Sequence, residues 1–199
     1  MPIVTTAEDV LKKIPKGQRI FIGSGAAVPV ALLDALVTCK DHFRDNEILH
    51  MMTLGRGAFA GPEFVENFRD NSFFIGSNVR GAVQEGYADY TPIFLSEIPA
   101  LLRSPSFALA AALVSVTPPD KHGMCSLGVS VDVVKSALSA ATLKIAQINK
   151  NMPRTFGNSF IPYKEFDYVV EADTQLPESP PIAISPEFEA IGRHVSSLI

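Results

Sequence analysis

One stretch in the middle of the chain constrains the fold most, because it combines a strand, a loop and a helix in direct succession. Residues 112–116 form a short apolar run, and the two prolines that follow cannot continue a β-ladder. Residues 120–123 then form a polar turn. A helix is predicted over residues 131–141, with Ser130 or Asp132 as its N-cap. Polar groups therefore collect at the C-terminal end of a strand, where open α/β sheets bind ligands.

The same alternation of strand, loop and helix runs through most of the chain. The predicted strands are residues 18–23, 47–54, 72–75, 89–95, 112–116, 143–148 and 166–171. The other predicted helices are residues 7–14, 28–38, 62–68, 79–84 and 97–102. Parallel strands need crossover connections, which are right-handed and place helices on both faces of the sheet. The sequence therefore predicts the α/β class, with a doubly wound, mostly parallel open sheet. Pro92 places the strand at 89–95 near an edge.

The composition changes near residue 176, where a Pro-rich stretch begins. We expect residues 1–175 to form one α/β domain and residues 176–199 to form a Pro-rich linker and the start of a connection. Ser185 is predicted to cap a final helix whose apolar stripe lies exposed. We therefore expect either a longer protein or a partner subunit that continues this structure.

Charge and hydropathy exclude several classes of partner. The net charge is −4, and no block of Lys or Arg is interleaved with aromatic residues, so no nucleic-acid partner is expected. The apolar stretch 107–116 is about half as long as the roughly 20 residues that cross a bilayer. No secretory leader pattern is present near Met1. We expect a cytoplasmic protein with no membrane partner.

The motifs of common cofactor sites are also missing from the sequence. The four histidines lack the spacing of a metal site, and Cys39 and Cys125 are expected to be reduced thiols. Gly23-Ser24-Gly25 lacks the third glycine of a dinucleotide-binding loop, which makes a nicotinamide-dependent oxidoreductase the weakest interpretation. No metal and no covalently bound cofactor are predicted.

Polar side chains follow several predicted strands at the point where each strand ends. They are Ser24, Thr53, Asn78, His122 and Arg154. Because the carboxyl ends of parallel strands meet at one edge, these residues are candidates for a binding site. Each also has a structural interpretation: Ser24 and Asn78 could only cap helices. His122 could only form its turn, and Arg154 could only pair with a surface acid.

Two further sets of residues have open interpretations. Gly23 and Gly25 could only close a turn, or their bare backbone could let an anionic or carbonyl oxygen approach a helix N-terminus. A second Gly-rich loop, residues 55–61, contains Arg56. Carboxylates that could act as covalent nucleophiles are Glu85, Glu97 and Glu171. Their positions are typical of solvated side chains, and none is chosen.

Five long motifs resemble one known family, the acetyl-CoA hydrolase/transferase family. They are residues 21–27 with Leu32-Leu33, 73–80, 88–99, 116–132 and 151–155. The resemblance is to the N-terminal domain of that family, which includes 4-hydroxybutyrate and acetate CoA-transferases, and it covers essentially the whole chain. It implies a two-domain enzyme with related α/β folds in both halves and an active site between them, and we also expect a homo-oligomer.

The resemblance further implies covalent catalysis with coenzyme A as a co-substrate. A glutamate attacks the acyl-CoA, an enzyme-bound CoA thioester forms, and CoA passes to an acceptor carboxylate. The glutamate and the CoA-binding loop belong to the family's C-terminal half, in the same chain or a partner chain. No catalytic residue is therefore assigned here, and this chain alone is expected to be inactive. An acetyl-CoA hydrolase and a non-catalytic subunit that binds a carboxylate or acyl-CoA are the alternatives.

The resemblance also points to a substrate-binding rim. The Ser24-Gly25 turn matches a loop that faces the acyl or carboxylate substrate. Arg154 is the strongest candidate for a carboxylate partner, because its planar fork can bind both oxygens. The predicted substrate-binding residues are Ser24, Gly25, Thr53, Gly55, Asn78, His122 and Arg154.

Overall fold

A computed structural model of the protein describes residues 1–55, 59–178 and 181–199. The strands are β1 (Ile3–Val4), β2 (Arg19–Ile22), β3 (Asn46–His50), β4 (Phe68–Ser72), β5 (Ala88–Tyr90), β6 (Leu109–Val116), β7 (Met124–Ser126), β8 (Ala141–Ile148), β9 (Phe160–Pro162) and β10 (Tyr168–Glu171). The α-helices are α1 (Ala7–Leu11), α2 (Val30–Thr38), α3 (Arg80–Gln84), α4 (Ile98–Leu102), α5 (Val134–Ala140) and α6 (Pro186–Ser196). Short 3₁₀ turns lie at Lys40–His42, Pro62–Phe64 and Tyr163–Glu165.

The predicted doubly wound parallel sheet is confirmed. Among the described residues it has eight strands in the order β1-β10-β8-β6-β2-β3-β4-β5, and its neighbouring strands pair in parallel. The helices α1, α2 and α3 pack on one face, whereas α4 and α5 pack on the other. Each face has its own buried core, represented by Leu32 and Ile48 on the first and by Leu102 and Leu138 on the second. Strand β5 lies at an edge, as Pro92 predicts.

The prediction for residues 62–75 is wrong in detail. The expected helix at 62–68 is only a 3₁₀ turn at Pro62–Phe64, and the strand lies at Phe68–Ser72 rather than at 72–75. Residues of this strand alternate between buried and half-buried, but two of its three buried residues, Asp70 and Ser72, are polar. A strand whose core face is polar gives no hydropathic alternation, so the pattern could not be detected from the sequence.

The helix predicted at 131–141 begins later and without the predicted caps. Helix α5 starts at Val134, and Val133 is its N-cap residue with no side-chain cap. The backbone of Asp132 has a positive φ of 24°, and its Oδ1 accepts a hydrogen bond from the Val133 N–H. The carboxylate thus closes a tight turn ahead of the helix.

Three short strands are absent from the prediction. Strand β1 adds two residues beside β10, and β7 and β9 form a separate antiparallel pair. Runs of two or three residues are too short to show a periodicity. The pair β7–β9 shapes the site, because it supports the loops that follow β6 and β8.

The C-terminal part leaves the sheet after β10 and ends in α6. Ser185 caps this helix as predicted, since its Oγ accepts a hydrogen bond from Phe188 N–H at 3.3 Å. No residue of α6 is buried, and its apolar stripe is exposed, with Ile191 at 58%. None of the helices in the described ranges is long and apolar enough to cross a membrane.

Candidate functional site

Each polar residue that the sequence places at a strand end follows a strand of the parallel sheet. Ser24, Thr53 and Asn78 come after β2, β3 and β4, which are neighbours in the sheet. His122 and Arg154 come after β6 and β8, which are also neighbours. Because these strands are parallel, all five residues lie at the same edge of the sheet, namely the one formed by the carboxyl ends of its strands. They form two groups, which we call the Thr53 group and the Arg154 group.

The Thr53 group, which comprises Ser24, Gly25, Thr53 and Asn78, is held together by direct contacts. The N–H of Gly25 donates to Met52 O at 2.7 Å, and Gly25 and Thr53 form a parallel bridge that extends the β2–β3 pairing. Asn78 Nδ2 donates to Thr53 Oγ1 at 3.0 Å. The predicted helix cap by Asn78 is wrong, because α3 has Val79 as its N-cap residue and no side-chain cap. Asn78 instead bonds the side chain of Thr53, and the loops after β2, β3 and β4 become one unit.

The turn at Ser24-Gly25 is both tight and polar. Gly25 has a φ of +60°, and a Cβ at this position would collide with Ser130 Oγ from the loop before α5. Glycine is thus required here by backbone conformation and by a close approach. The hydroxyl of Ser24 is buried, and it has no hydrogen-bond partner among the described residues. Since buried hydroxyls are almost always paired, this oxygen is an exception inside the Thr53 group.

The Arg154 group comprises Asp120, His122 and Arg154, and its charges are already paired within the chain. Arg154 Nη2 lies 2.5 Å from Asp120 Oδ2, and both guanidinium nitrogens Nη1 and Nη2 donate to Met124 O at 3.2 Å. The guanidinium also stacks over the Phe160 ring at 4.8 Å from its centroid. The expected role of Arg154 as a substrate-carboxylate partner stays a prediction, because its fork has an internal carboxylate.

Asp120 is the centre of this group and organises the turn that contains His122. Its Oδ1 accepts hydrogen bonds from the backbone N–H groups of Met124 and His122, each at 2.9 Å. These bonds, from Met124 first and then His122, together with the charge of Arg154, lower the pKa of the Asp120 carboxyl. His122 itself is exposed. Its position fits both the structural interpretation and the substrate-binding one, which stays a prediction.

The loops of the two groups pack against each other. Ser130 Oγ lies against Gly25, and the side chain of Met152 lies against Gly128. Ser126 of β7 fixes the last loop, because its Oγ accepts from Thr155 N–H at 3.1 Å and from Gly128 N–H at 3.1 Å. The approach of Ser130 to Gly25 therefore joins the loops of the two groups.

An apolar cavity of about 400 Å³ opens next to the part of the loop after β3 that follows Thr53. Its walls come from the residues around the start of α2, from the loop after β3 and from the segment that follows β10. They are Val28, Val30, Leu33, Asp34, Val37, Leu54, Gly55, Phe59, Gln175, Leu176 and Pro177. Gly55 is the only one of the sequence-predicted binding residues among these walls. The remainder of its Gly-rich loop includes Arg56 and residues 57–58, which lie outside the described residues.

Two buried amide side chains, Gln147 near the end of β8 and Asn149 directly after it, were not predicted from the sequence, and they fix the segment before the wall at 175–177. Gln147 Oε1 accepts from Ala31 N–H at 2.9 Å, and Gln147 Nε2 donates to Thr174 Oγ1 at 2.9 Å. Asn149 Nδ2 donates to Thr174 O at 2.9 Å. The start of α2 and the segment after β10 are thus tied to the same strand. Polar residues late in a buried apolar strand are the signal that could have indicated this role.

The remaining candidates add no chemistry to this edge. Glu85, Glu97 and Glu171 are exposed, which agrees with solvated carboxylates. Burial raises the pKa of the Cys125 thiol to about 12. In the described ranges, no group of three or more His, Cys, Asp or Glu side chains could hold a metal ion.

The fold defines a doubly wound, parallel α/β domain, a class in which ligands bind at the carboxyl ends of the strands. Comparison with known proteins agrees with this class. The model of the acetyl-CoA hydrolase/transferase N-terminal domain matches residues 3–178. The chain therefore belongs to the acetyl-CoA hydrolase/transferase family, which confirms the resemblance seen in its motifs.

Similar proteins are known both as sequences and as structures. The 4-hydroxybutyrate coenzyme A transferase of Clostridium kluyveri is 42% identical over 196 residues, which is 98% of this chain and 46% of that protein. The succinyl-CoA:acetate/propanoyl-CoA:succinate CoA transferase of Fasciola hepatica is 41% identical over 90% of this chain and 38% of that protein. The crystal structure of RipA from Yersinia pestis matches with a TM-score of 0.91 and 26% identity, over 99% of this chain and 48% of RipA. The chain thus spans less than half the length of each.

Proposed function

We propose that this chain is the substrate-side half of a CoA-transferase, which moves CoA between an acyl-CoA and a small carboxylate. The observation that carries the proposal is the loop after β3, in a chain of this family. This loop contributes Thr53 to the Thr53 group and Leu54 and Gly55 to the wall of the apolar cavity, and it is therefore the junction between them. A carboxylic acid substrate has one polar end and one apolar end. The junction offers polar groups next to a hydrocarbon-lined space, which matches both ends.

The proposed mechanism uses a glutamate from a C-terminal catalytic domain, in the same chain or in a partner chain. The carboxylate attacks the thioester carbonyl of acyl-CoA and expels the CoA thiolate. The thiolate then attacks the glutamyl carbonyl of the resulting mixed anhydride, which releases the first acyl group as a carboxylate and leaves a glutamyl-CoA thioester. The acceptor carboxylate reverses these steps and leaves as its CoA ester, so that atoms and charge balance.

The residues of this chain would bind and orient the acyl group during these steps. A cavity of about 400 Å³ lies at the small end of the roughly 300–1,000 Å³ that ligand pockets occupy. It suits a short acyl chain better than a long one. We place Ser24, Gly25, Thr53 and Asn78 around the carboxylate end, with Gly55 on the cavity side. His122 and Arg154 remain candidates for contacts farther along the rim.

The organisation of the whole protein belongs to the same proposal. We place the domain boundary near residue 175, with residues 176–199 connecting to the catalytic domain. The exposed apolar stripe of α6 would then pack on that domain. We also propose that the protein forms a homo-oligomer and works in the cytoplasm, with coenzyme A as a co-substrate and no covalently bound cofactor.

The experiment that tests the proposal is an exchange assay with acetyl-CoA and isotopically labelled acetate. The full-length protein, with both halves, should move label into acetyl-CoA, and this chain alone should not. Mass spectrometry of the full-length protein incubated with acetyl-CoA should detect a CoA adduct on one glutamate. Turnover by the pure 199-residue chain would contradict the assignment of the nucleophile to another half.

An acetyl-CoA hydrolase is the second candidate, because the family includes both activities. The same assay separates the two: a hydrolase releases free thiol from acetyl-CoA at a rate that does not depend on the acceptor carboxylate. A non-catalytic binding subunit is the third possibility. It would bind the carboxylate, as seen by methyl shifts in NMR spectra, with neither exchange nor thiol release from any assembly of the protein.

A further inference from the structure

A fully buried ionisable pair lies at the end of β3, directly before the loop that carries Thr53 and Gly55. His50 Nε2 is 2.9 Å from Asp70 Oδ1 of the neighbouring strand β4, and both side chains are 0% exposed. Asp70 is one of the polar residues that hide β4 from hydropathic analysis. The site described above does not use either residue.

Burying this pair in the core costs folding free energy. His50 Nδ1, Asp70 Oδ2 and the hydroxyl of Ser72, the register partner of His50, have no hydrogen-bond partners among the described residues. Apolar residues of similar volume often stabilise a fold as well as a buried ionisable pair, or better. Stability alone therefore does not account for the pair.

The imidazole has a second neighbour, which links it to the cavity. The rings of His50 and Phe59 meet edge to face, with centroids 5.8 Å apart and an interplanar angle of 77°. Phe59 is itself buried and forms part of the cavity wall. The loop after β3 thus leaves the sheet at His50 and returns to contact the same ring at Phe59.

We propose that His50, held in place by Asp70, is a positioning residue that fixes Phe59 and so sets the length of acyl group that the cavity accepts. Asp70 holds the imidazole from the side of β4, and the imidazole ring packs against the phenyl ring of Phe59. A shift of Phe59 changes the volume available beside Leu33 and Val28. The inference rests on the proposed function, since it assigns the cavity to the acyl chain.

The test compares acyl-CoA substrates of increasing length in the full-length protein, with acetate as the common acceptor. His50→Gln keeps an amide nitrogen for Asp70 but removes the ring that contacts Phe59. We expect the ratio of kcat/KM for hexanoyl-CoA to that for acetyl-CoA to change by about tenfold, which is the scale of one or more methylene groups in a pocket. If the pair is purely structural, His50→Gln should lower the melting temperature and leave this ratio unchanged.

A second variant keeps the result decisive if His50→Gln does not fold. The double substitution His50→Phe with Asp70→Leu keeps an aromatic ring next to Phe59 but removes the hydrogen bond to Asp70 that orients it. We expect it to change the chain-length ratio, as Phe59→Leu should. An unchanged ratio in either variant would overturn the proposal.

The matched control lies at the other end of the same strand. Asn46 is also 0% exposed and bonds Pro15 O and Gln18 O, far along β3 from the cavity. Asn46→Ala should lower stability and leave the chain-length ratio unchanged. If the wild-type full-length protein transfers no CoA at all, the proposed function fails. If it transfers CoA and His50→Gln keeps the wild-type ratio, only the positioning role fails.

Discussion

The Thr53 group and the Arg154 group lie at the same edge of the same sheet, yet they differ in what they leave free. In the Thr53 group the contacts are between neutral groups, and the buried Ser24 hydroxyl has no partner among the described residues. In the Arg154 group the guanidinium has a carboxylate, a carbonyl and an aromatic ring around it. Position at the edge therefore makes a residue a candidate, and unused hydrogen-bonding capacity is what separates the two groups.

The largest effect is expected at the tightest point of the Thr53 group. Gly25→Val places a branched side chain at a φ of +60° and against Ser130 Oγ. The left-handed backbone alone costs a non-glycine residue about 1–2 kcal/mol, and the collision displaces the loop before α5 as well. We expect kcat/KM of the full-length protein to fall by about a hundredfold, the scale reported for misplaced catalytic groups.

Gly17 provides the control for this substitution. It has a φ of +67°, but nothing lies within 4 Å of a Cβ added there. Gly17→Val should therefore show the backbone cost in the melting temperature and keep its kcat/KM. Equal losses of activity in both variants would mean that Gly25 matters only for folding.

The next effect tests whether the Arg154 group is a support or a binding surface. Arg154→Ala removes the hydrogen bonds to Met124 O and the partner of Asp120. We expect the free energy of unfolding to fall by about 1.5–3 kcal/mol, because hydrogen bonds to charged groups contribute that much. Urea denaturation measures this change, and kinetics of the full-length protein measure the KM for the acceptor carboxylate.

The exposed pair of Lys150 and Asp173 is the reference for that measurement. Its side chains are 74% and 44% exposed, so Lys150→Ala should cost about 0–1 kcal/mol. A rise in the acceptor KM in Arg154→Ala, at temperatures where both variants remain folded, would assign Arg154 to the substrate as the sequence predicts. An unchanged KM would make the residue a support and would sharpen the contrast between the two groups.

These contrasts also show which features of the fold and the site can be predicted from the sequence. Alternating strands and helices predict the parallel sheet, and the ends of its strands predict which loops share an edge. Pairing within that edge follows from distances between residues far apart in sequence, such as Asp120 and Arg154, or Asn78 and Thr53. The sequence therefore predicts the members of the rim but not their division into two groups.

The parts that sequence reasoning missed have a common physical cause. Asp70 and Ser72 are polar residues on a core face, and Gln147 is a polar residue in a buried strand. Hydropathic patterns assign polar residues to solvent, so these buried positions are not recognised from the sequence. The role of His50 is not visible in the sequence, because its partner Asp70 is 20 residues away and on another strand.

A smaller effect is expected in the pH dependence of stability. The folded chain lowers the pKa of Asp120, chiefly through the Met124 N–H and also through His122 N–H and Arg154. The ionised carboxylate thus stabilises the folded state above its unfolded pKa of about 3.9. This contribution is lost as the pH falls through the lower, folded pKa.

Asp120→Asn should remove that contribution, so the variant loses less stability than the wild type when the pH falls from about 5 to below about 4. Melting temperatures across this range measure the difference. Glu187 is the control, since its pKa is also lowered, but by Ser185 at the exposed start of α6. Glu187→Gln should leave the acid transition of the sheet domain unchanged. Identical acid profiles for Asp120→Asn and the wild type would show that the turn is not held by its carboxylate.

The smallest effect concerns the bond inside the Thr53 group. Thr53→Val keeps the shape of the side chain but removes the acceptor of the Asn78 amide. We expect a loss of about 0.5–1.5 kcal/mol, the usual net contribution of one neutral hydrogen bond. Asn78→Ala should cost a similar amount, and the double variant should cost less than the sum, because both changes remove the same bond. Additive losses in this cycle would show that Thr53 and Asn78 are not energetically coupled, and the Thr53 group would then not act as one unit.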